Sequence, residues 1–366
     1  MKNWLKPIIL FLLVIGLIGT IVMLSGVINI SASSGHWKVT AWFLNFSKNR
    51  YLDTYTLTTE VPPLDDPAMI IRGAGHYEIS CRQCHGGPDH KSFLGMKTTP
   101  KSPFLPPKIK EYEPEELFRV VKHGIKFTGM PSWPDLNRDD EVWAMVAFLQ
   151  KLPGMTTDQY KKLVYGEREP LVLLPSPYSG ELNNHILMTC SNCHGLDGNG
   201  RGENAFPKLA GQRQLYLEET LRAFKRGERH SGTMELMASA LSDEMVVAVA
   251  EYYSKKKRIR THKTPTDSQA IRRGEIIATK GIPDQHVAAC MGCHGPDEFG
   301  RTKKPHFPDL RGQPAKYLET QLKLFLADKR GGTKNVEKMK KAVIKLGPEQ
   351  IKDVALYYES LLPLSN

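Results

Sequence analysis

The chain has 366 residues, six cysteines and a formal net charge of +11. A chain of this length fits two or three domains of about 100–150 residues beside a membrane segment. The cysteines are not scattered through a short, loop-rich sequence, which excludes a disulfide scaffold.

The amino end combines a short cationic start with a long apolar run. Lys2 and Lys6 precede an uncharged stretch from Ile8 to about Ile30. A cleavable signal peptide has an apolar core of about 7–15 residues and a spanning helix needs about 20, so an uncleaved transmembrane anchor over residues 1–30 is favoured. Cleavage near the small residues at 31–34 is the alternative. The positive-inside bias then places everything after residue 31 in the bacterial periplasm, on a single-pass inner-membrane anchor.

Three CxxCH motifs follow, CRQCH at 81–85, CSNCH at 190–194 and CMGCH at 290–294, and they contain every cysteine. Two thiols a turn apart can add to the two vinyl groups of one haem, while the adjoining histidine supplies an imidazole to the iron. A zinc site would need paired CxxC motifs or distant histidines instead. The sequence therefore predicts three covalently bound haem c groups, attached through Cys81, Cys84, Cys190, Cys193, Cys290 and Cys293 and ligated by His85, His194 and His294.

The motif spacing divides the chain into a linker at 31–66 and three units at 67–165, 166–260 and 261–366. Units two and three repeat FPKLAGQ at 206–212 as FPDLRGQ at 307–313, whereas unit one carries PFLPP at 103–107. Each unit ends in an amphipathic helix, which predicts an all-α fold. Asn137, Ser242 and the pair Gly347-Pro348 are the predicted starts of these last helices. Helical periodicity predicts a buried stripe of Val142, Val146 and Leu149 on the first of them and of Met245, Val249 and Tyr252 on the second.

The face of each iron opposite the histidine decides between electron transfer and small-molecule chemistry. Methionine is a soft ligand that raises the potential of a haem iron. Met130 lies between a glycine and a proline shortly before the last helix of unit one. Met234 and Met339 each lie seven residues before a leucine that precedes the last helix of units two and three. Met130, Met234 and Met339 are the predicted distal ligands, and Met237 competes with Met234.

Two further expectations concern histidines and prolines near the haems. Five other histidines could support bis-histidine ligation instead: His76, His90, His123, His230 and His306. A proximal imidazole is normally oriented by a carbonyl that accepts from its second nitrogen. Pro107, Pro207 and Pro308 are the predicted acceptors, since each lies two residues before an isoleucine or leucine.

From residue 65 onward the chain resembles the class I cytochrome c family. Units two and three, with CxxCHG, FPxLxGQ and the methionine before LSDE or LGPE, are similar to diheme cytochromes of the c-four group. Unit one, with GAGHYEISCRQCHGGP and ELFRVVKHGIKFTGMPSW, is similar to membrane-anchored monohaem cytochromes of proteobacterial respiratory chains. The resemblance implies three small helical haem domains, with the ligands named above, that deliver electrons from a quinol-side donor towards a haem-copper oxidase.

The main functional hypothesis is a membrane-tethered triheme electron carrier, whose partner is a quinol-oxidising complex, a periplasmic dehydrogenase or an oxidase. The alternative is the cytochrome subunit of a dehydrogenase complex oxidising alcohols or sugar acids. A haem peroxidase would require one iron to lose its methionine. The basic run KKKRIR at 255–260 fits a solvated helix end or a surface that steers acidic redox partners, and nucleic acid is not expected in the periplasm.

Overall fold

The computed structural model describes residues 4–166, 184–202, 204–260, 265–296 and 304–361. Every regular element among these residues is helical, and extended backbone pairs only at isolated bridges. The all-α prediction is therefore confirmed.

The amino-terminal helix α1 is Leu5–Leu24, and none of its residues is buried. The helix has 20 residues and its mean hydropathy reaches 2.9, so it is long and apolar enough to cross a membrane. It begins and ends earlier than the predicted stretch of 8–30. Such an exposed apolar helix fits either a membrane anchor or a signal sequence.

A second helix, α2 at Lys38–Tyr55, occupies much of the segment predicted as a linker. It packs on unit one, because Leu52 is only 2% exposed and the Arg119 guanidinium lies over the rings of Tyr51 and Tyr55. The segment after α1 is thus partly docked on the first haem unit.

Unit one contains seven α-helices and a short 3-10 helix at Ile109–Glu111. The α-helices are α3 Pro67–His76, α4 Arg82–His85, α5 Phe93–Lys97, α6 Leu105–Lys108, α7 Pro114–His123, α8 Asp139–Lys151 and α9 Thr157–Tyr165. A π-helical turn at Tyr77–Cys81 joins α3 to the first CxxCH motif. The prediction that Asn137 caps α8 is wrong, since Arg138 is the capping residue and makes no side-chain cap bond. The Asn137 N–H instead donates to Asp135 Oδ1, so a side-chain turn precedes the helix.

Units two and three place their elements in the same order. The helices of unit two are α10 Asn184–His194, α11 Gln214–Lys225, α12 Met234–Ser239 and α13 Asp243–Ser254. Those of unit three are α14 Ser268–Lys280, α15 Met291–His294, α16 Ala315–Leu326, α17 Val336–Val343 and α18 Pro348–Ser360. The longer lead-in of unit three separates its CxxCH motif from α14, whereas the motif of unit two ends α10. The predicted starts at Ser242 and Pro348 are confirmed.

Each unit has its own hydrophobic cluster, to which its last helix contributes. In α8 the predicted stripe residues Val142, Val146 and Leu149 are all buried. In α13 the stripe is displaced by one residue, because Val246 and Tyr253 are the buried residues beside Val249. Met245 lines a cavity instead.

The first and last helices of unit three cross so closely that Gly274 cannot carry a side chain. A Cβ there would lie 2.0 Å from the Asp353 carbonyl oxygen, and one on Gly73 of unit one would lie 2.1 Å from that of Ala144. We expect Gly274→Ala to destabilise unit three by about 1–3 kcal/mol, because backbone must shift to admit the methyl group. Denaturant unfolding of the haem-loaded protein measures this loss. Gly347→Ala is the control, since its Cβ would approach no atom closer than 3.8 Å, and an equal loss in both variants would refute the packing argument.

Candidate haem sites

The first cysteine of each CxxCH motif lies in a desolvated environment. Burial raises the pKa of the Cys81 thiol to about 12 and those of Cys190 and Cys290 to about 11. These thiols are therefore protonated at neutral pH. Apolar surroundings at this sulfur fit attachment to the hydrocarbon edge of a porphyrin.

The imidazole of each motif is held by a proline carbonyl. The Nδ1 atoms lie 2.9–3.0 Å from these oxygens, in the pairs His85 with Pro103, His194 with Pro207 and His294 with Pro308. An Nδ1–H donated to the carbonyl leaves Nε2 with a lone pair for iron. Burial also lowers the pKa of all three imidazoles, which favours the neutral form that binds metal.

The carbonyl acceptors in units two and three are those predicted, Pro207 and Pro308. The prediction that Pro107 is the acceptor in unit one is wrong. The acceptor there is Pro103, which also lies two residues before a leucine, Leu105. Pro107 belongs to α6 at Leu105–Lys108, whereas Pro103 lies in the non-helical chain just before this helix. The P-x-[IL] pattern occurs twice in this stretch, and only the helix start decides which carbonyl is used.

One continuous cavity of about 790 Å³ joins the sites of units two and three. Its lining includes the motif residues of both units together with the methionines proposed as ligands: Cys190, Cys193, His194, Met234, Cys290, Cys293, His294 and Met339. Its size is within the range of about 300–1,000 Å³ found for cofactor pockets. The residues therefore fit covalently attached haem in both units. Met237 lines the same cavity, so the choice between Met234 and Met237 stays a prediction.

In unit one, Met130 lies in a tight loop before α8. Its N–H donates to Thr128 Oγ1 at 3.1 Å, and its carbonyl accepts from the Ile125 N–H at 3.2 Å. Gly124, at φ +65°, lets the chain pass close to this carbonyl. The backbone of Met130 is thus fixed, as a distal ligand requires.

The five alternative histidines all contact other protein groups. His90 lies beside Asp89, His123 beside Arg119, His230 beside Asp135 and His306 beside Glu219. His76 contacts Thr233. Three of the five, His76, His230 and His306, also line the cavity, so the choice between methionine and a second histidine as the distal ligand stays a prediction.

Units two and three meet through a reciprocal amide exchange between the two GQ segments. The Gln212 side chain donates to the Asp309 carbonyl at 2.8 Å and accepts from its N–H at 2.9 Å. Gln313 makes the same pair of bonds with Lys208, at 2.6 and 2.9 Å. Because Lys208 and Asp309 occupy equivalent positions of the repeat, the interface has pseudo-two-fold symmetry. The repeat makes the two glutamines visible in the sequence, but it does not indicate that their side chains join the two units.

Units one and two meet around Glu141, in a contact that we call the Glu141 junction. Its carboxylate accepts from Ser231 Oγ and the Gly232 N–H, each at 2.7 Å, and from Trp133 Nε1 at 3.3 Å. Arg138 Nη1 lies 2.7 Å from the same carboxylate. Nothing in the sequence indicated this role, because the bonded residues are about 90 positions apart.

An aromatic pair extends the Glu141 junction towards the proposed distal ligands. The His76 ring lies 4.2 Å from that of Trp133, and it bonds to Thr233 Oγ1 at 2.5 Å. Burial lowers the pKa of His76 to about 3, so it is neutral. Trp133 follows Met130 by three residues and Thr233 directly precedes Met234. The segments that carry these two methionines are therefore held in contact.

Two protein families match three parts of the chain. Residues 68–149 match the family described as cytochrome c oxidase, cbb3-type, subunit III. Residues 184–255 and 284–362 match the family described as cytochrome c. Each match includes one CxxCH motif.

Three curated proteins illustrate the similarity. A thiosulfate dehydrogenase electron acceptor of Thiomonas intermedia is 38% identical over 39% of this chain and 65% of its own length. Cytochrome c-552 of Acidithiobacillus ferridurans is 32% identical over 51% of this chain and 77% of its own length. Cytochrome c4 of Pseudomonas aeruginosa is 32% identical over 47% of this chain and 83% of its own length.

Proposed function

The chain belongs to the cytochrome c family, and from that premise we propose that it is a membrane-tethered periplasmic triheme cytochrome carrying single electrons between respiratory-chain partners. Bound haem would supply one-electron chemistry at iron. The observation that carries the proposal is the threefold recurrence of CxxCH, each with its imidazole oriented by a proline carbonyl.

The order of contacts supports a linear route through units one, two and three. Unit two contacts unit one at the Glu141 junction and unit three through Gln212 and Gln313. The cavity joining units two and three brings their motifs to one shared space. Unit two is therefore the proposed centre of the route.

For the donor we propose a periplasmic dehydrogenase that oxidises an inorganic sulfur compound. The support is the similarity to a protein named as a thiosulfate dehydrogenase electron acceptor. For the acceptor we propose a haem-copper oxidase, since unit one matches the family described as cbb3-type oxidase subunit III. Unit one is also the unit linked to the apolar helix α1, so it is the unit that the tether keeps near the membrane.

A second candidate function is that of a permanent cytochrome subunit in a dehydrogenase complex. The similarity to an electron acceptor of a dehydrogenase favours this candidate as well. The two candidate functions differ in how stably the cytochrome associates with the dehydrogenase. A permanent subunit copurifies with the enzyme, whereas a carrier binds it only transiently.

A spectroscopic redox titration tests the core of the proposal on the full-length protein in detergent. We expect three haems per chain, all low-spin in the oxidised state. Stopped-flow mixing with thiosulfate dehydrogenase and thiosulfate should reduce them, and a membrane fraction with an active oxidase should reoxidise them. A high-spin ferric haem that reacts with peroxide would favour a peroxidase instead. Fewer than three haems per chain would contradict the triheme assignment.

A separate prediction concerns the apolar helix α1 as a membrane tether. We expect the native protein to stay in the membrane fraction after an alkaline wash, because a predominantly apolar helix of 20 residues inserts stably. Replacing residues 1–30 by a cleavable secretion signal should release the haem-loaded protein into the soluble periplasmic fraction. A native protein found soluble, with an amino terminus near residue 32, would show that the segment is a cleaved signal peptide.

A further inference from the structure

Beside the haem cavity, which His230 also lines, three side chains with metal-binding atoms converge where unit one meets unit two. One ligand atom from each of Asp135, His230 and Glu235 lies within 4.8 Å of the other two. Asp135 belongs to unit one, whereas His230 and Glu235 belong to unit two. The cluster is therefore complete only when the two units are docked.

The carboxylate of Asp135 is buried with one oxygen unsatisfied. Its side chain is only 4% exposed. Oδ1 accepts from the Asn137 N–H at 2.7 Å. Oδ2 lies 2.6 Å from His230 Nδ1 in an ion-pair contact whose angle falls short of hydrogen-bond geometry. A buried carboxylate oxygen without a well-aligned donor is costly, and a cation would satisfy it.

Arg138 interacts electrostatically with Asp135, but it makes its hydrogen bonds and its short ion pairs with other groups. Its guanidinium makes a two-bond contact with Asp140, at 2.8 Å for each bond, and an ion pair with Glu141 at 2.7 Å. It also donates to the His230 carbonyl at 2.8 Å. Arg138 thus orients the loop that presents His230, while its charge is balanced by Asp140 and Glu141.

We propose that Asp135, His230 and Glu235 form a binding site for a divalent transition ion of the zinc class. One imidazole nitrogen with two carboxylates suits such an ion, and the remaining position can be taken by water. Calcium prefers six to eight oxygen ligands and fits this set poorly. The His230 side chain is 33% exposed, which leaves an entry path from solvent. The bound ion would clamp unit one to unit two beside Met234.

Calorimetric titration with Zn²⁺ tests the proposal on the haem-loaded, full-length protein in detergent after chelator treatment. We expect one zinc site per chain. Asp135→Asn should weaken zinc binding at least tenfold, because removing even a residue that only orients a metal ligand costs about 10–100-fold in metal affinity. The asparagine keeps an oxygen for the Asn137 N–H, so the turn should survive. Saturating zinc should raise the melting temperature of the native protein more than that of the variant.

His306→Gln is the matched control, because His306 lies 2.7 Å from Glu219 and is also 33% exposed. It should leave zinc binding unchanged. If Asp135→Asn fails to load haem, His230→Gln provides the same test from unit two. The proposal is overturned if the native protein binds no zinc, if the ligand variants bind it as tightly, or if calcium binds more tightly.

Discussion

Replacing Met234 by alanine should convert one of the three haems to a high-spin or water-ligated form and lower its potential. A thioether ligand favours reduced iron, and alanine offers no donor to replace it. The expected result is loss of the sulfur-to-iron absorption of one haem and a high-spin signal in electron paramagnetic resonance. Electron flow through the chain should fall sharply, since unit two is the proposed centre of the route. A redox titration of the variant measures the potential directly.

Met237→Ala is the matched control for this experiment. Both methionines line the same cavity and lie one helical turn apart on α12. If Met234 is the ligand, Met237→Ala should change stability by the cost of a partly buried side chain and leave all haems low-spin. The reverse result would assign the iron to Met237, and no spectral change in either variant would contradict methionine ligation in unit two.

Replacing Glu141 by alanine should uncouple unit one from unit two. The change leaves Arg138 without one of its carboxylate partners, and it removes the acceptor for Trp133, Ser231 and Gly232. Removing one partner of a buried ion pair costs about 3–5 kcal/mol. Calorimetry should therefore show unit one melting separately from units two and three, at a lower temperature than in the native protein. Electron transfer between units one and two should slow in parallel.

Asp140→Ala provides the control, because Asp140 pairs with the same arginine. Its side chain is 43% exposed, against 13% for Glu141. Its bonds to Arg138 lie within unit one, and its carboxylate is less buried than that of Glu141, so this variant should lose less stability than Glu141→Ala and keep units one and two melting together. Equal losses in the two variants would show that Arg138 matters only within unit one and that Glu141 does not join the units.

The helical fold and two of the three predicted helix starts, at Ser242 and Pro348, depend on local sequence and could be predicted from it. Ser242 and Pro348 act within one turn of the helices they begin, and the stripe of Val142, Val146 and Leu149 follows from helical periodicity. The two wrong predictions each concern a choice between residues that are close together in the sequence. Asp135 forms a turn by accepting from the Asn137 N–H, so Asn137 does not cap the helix. The carbonyl of Pro103, not that of Pro107, accepts from the histidine.

The contacts between units could not be predicted in the same way. Glu141 reads in the sequence as an acidic residue in the first turn of a helix, where it suits the helix dipole. Its bonds to Ser231 and Gly232 depend on how two separately folded units dock. Gln212 and Gln313 were visible as a repeat, but a repeat does not reveal that each side chain bonds the other unit.

The sequence by itself determined the chemistry of this protein, because covalent haem attachment requires two thiols and a histidine at fixed spacing along a single chain segment. Only the tertiary structure decided how the units meet. The Glu141 junction, the joined cavity and the cluster of Asp135, His230 and Glu235 bring together residues about 90–100 positions apart. Such contacts depend on the packing of whole domains, which leaves no periodic or local pattern in the sequence from which they could be predicted.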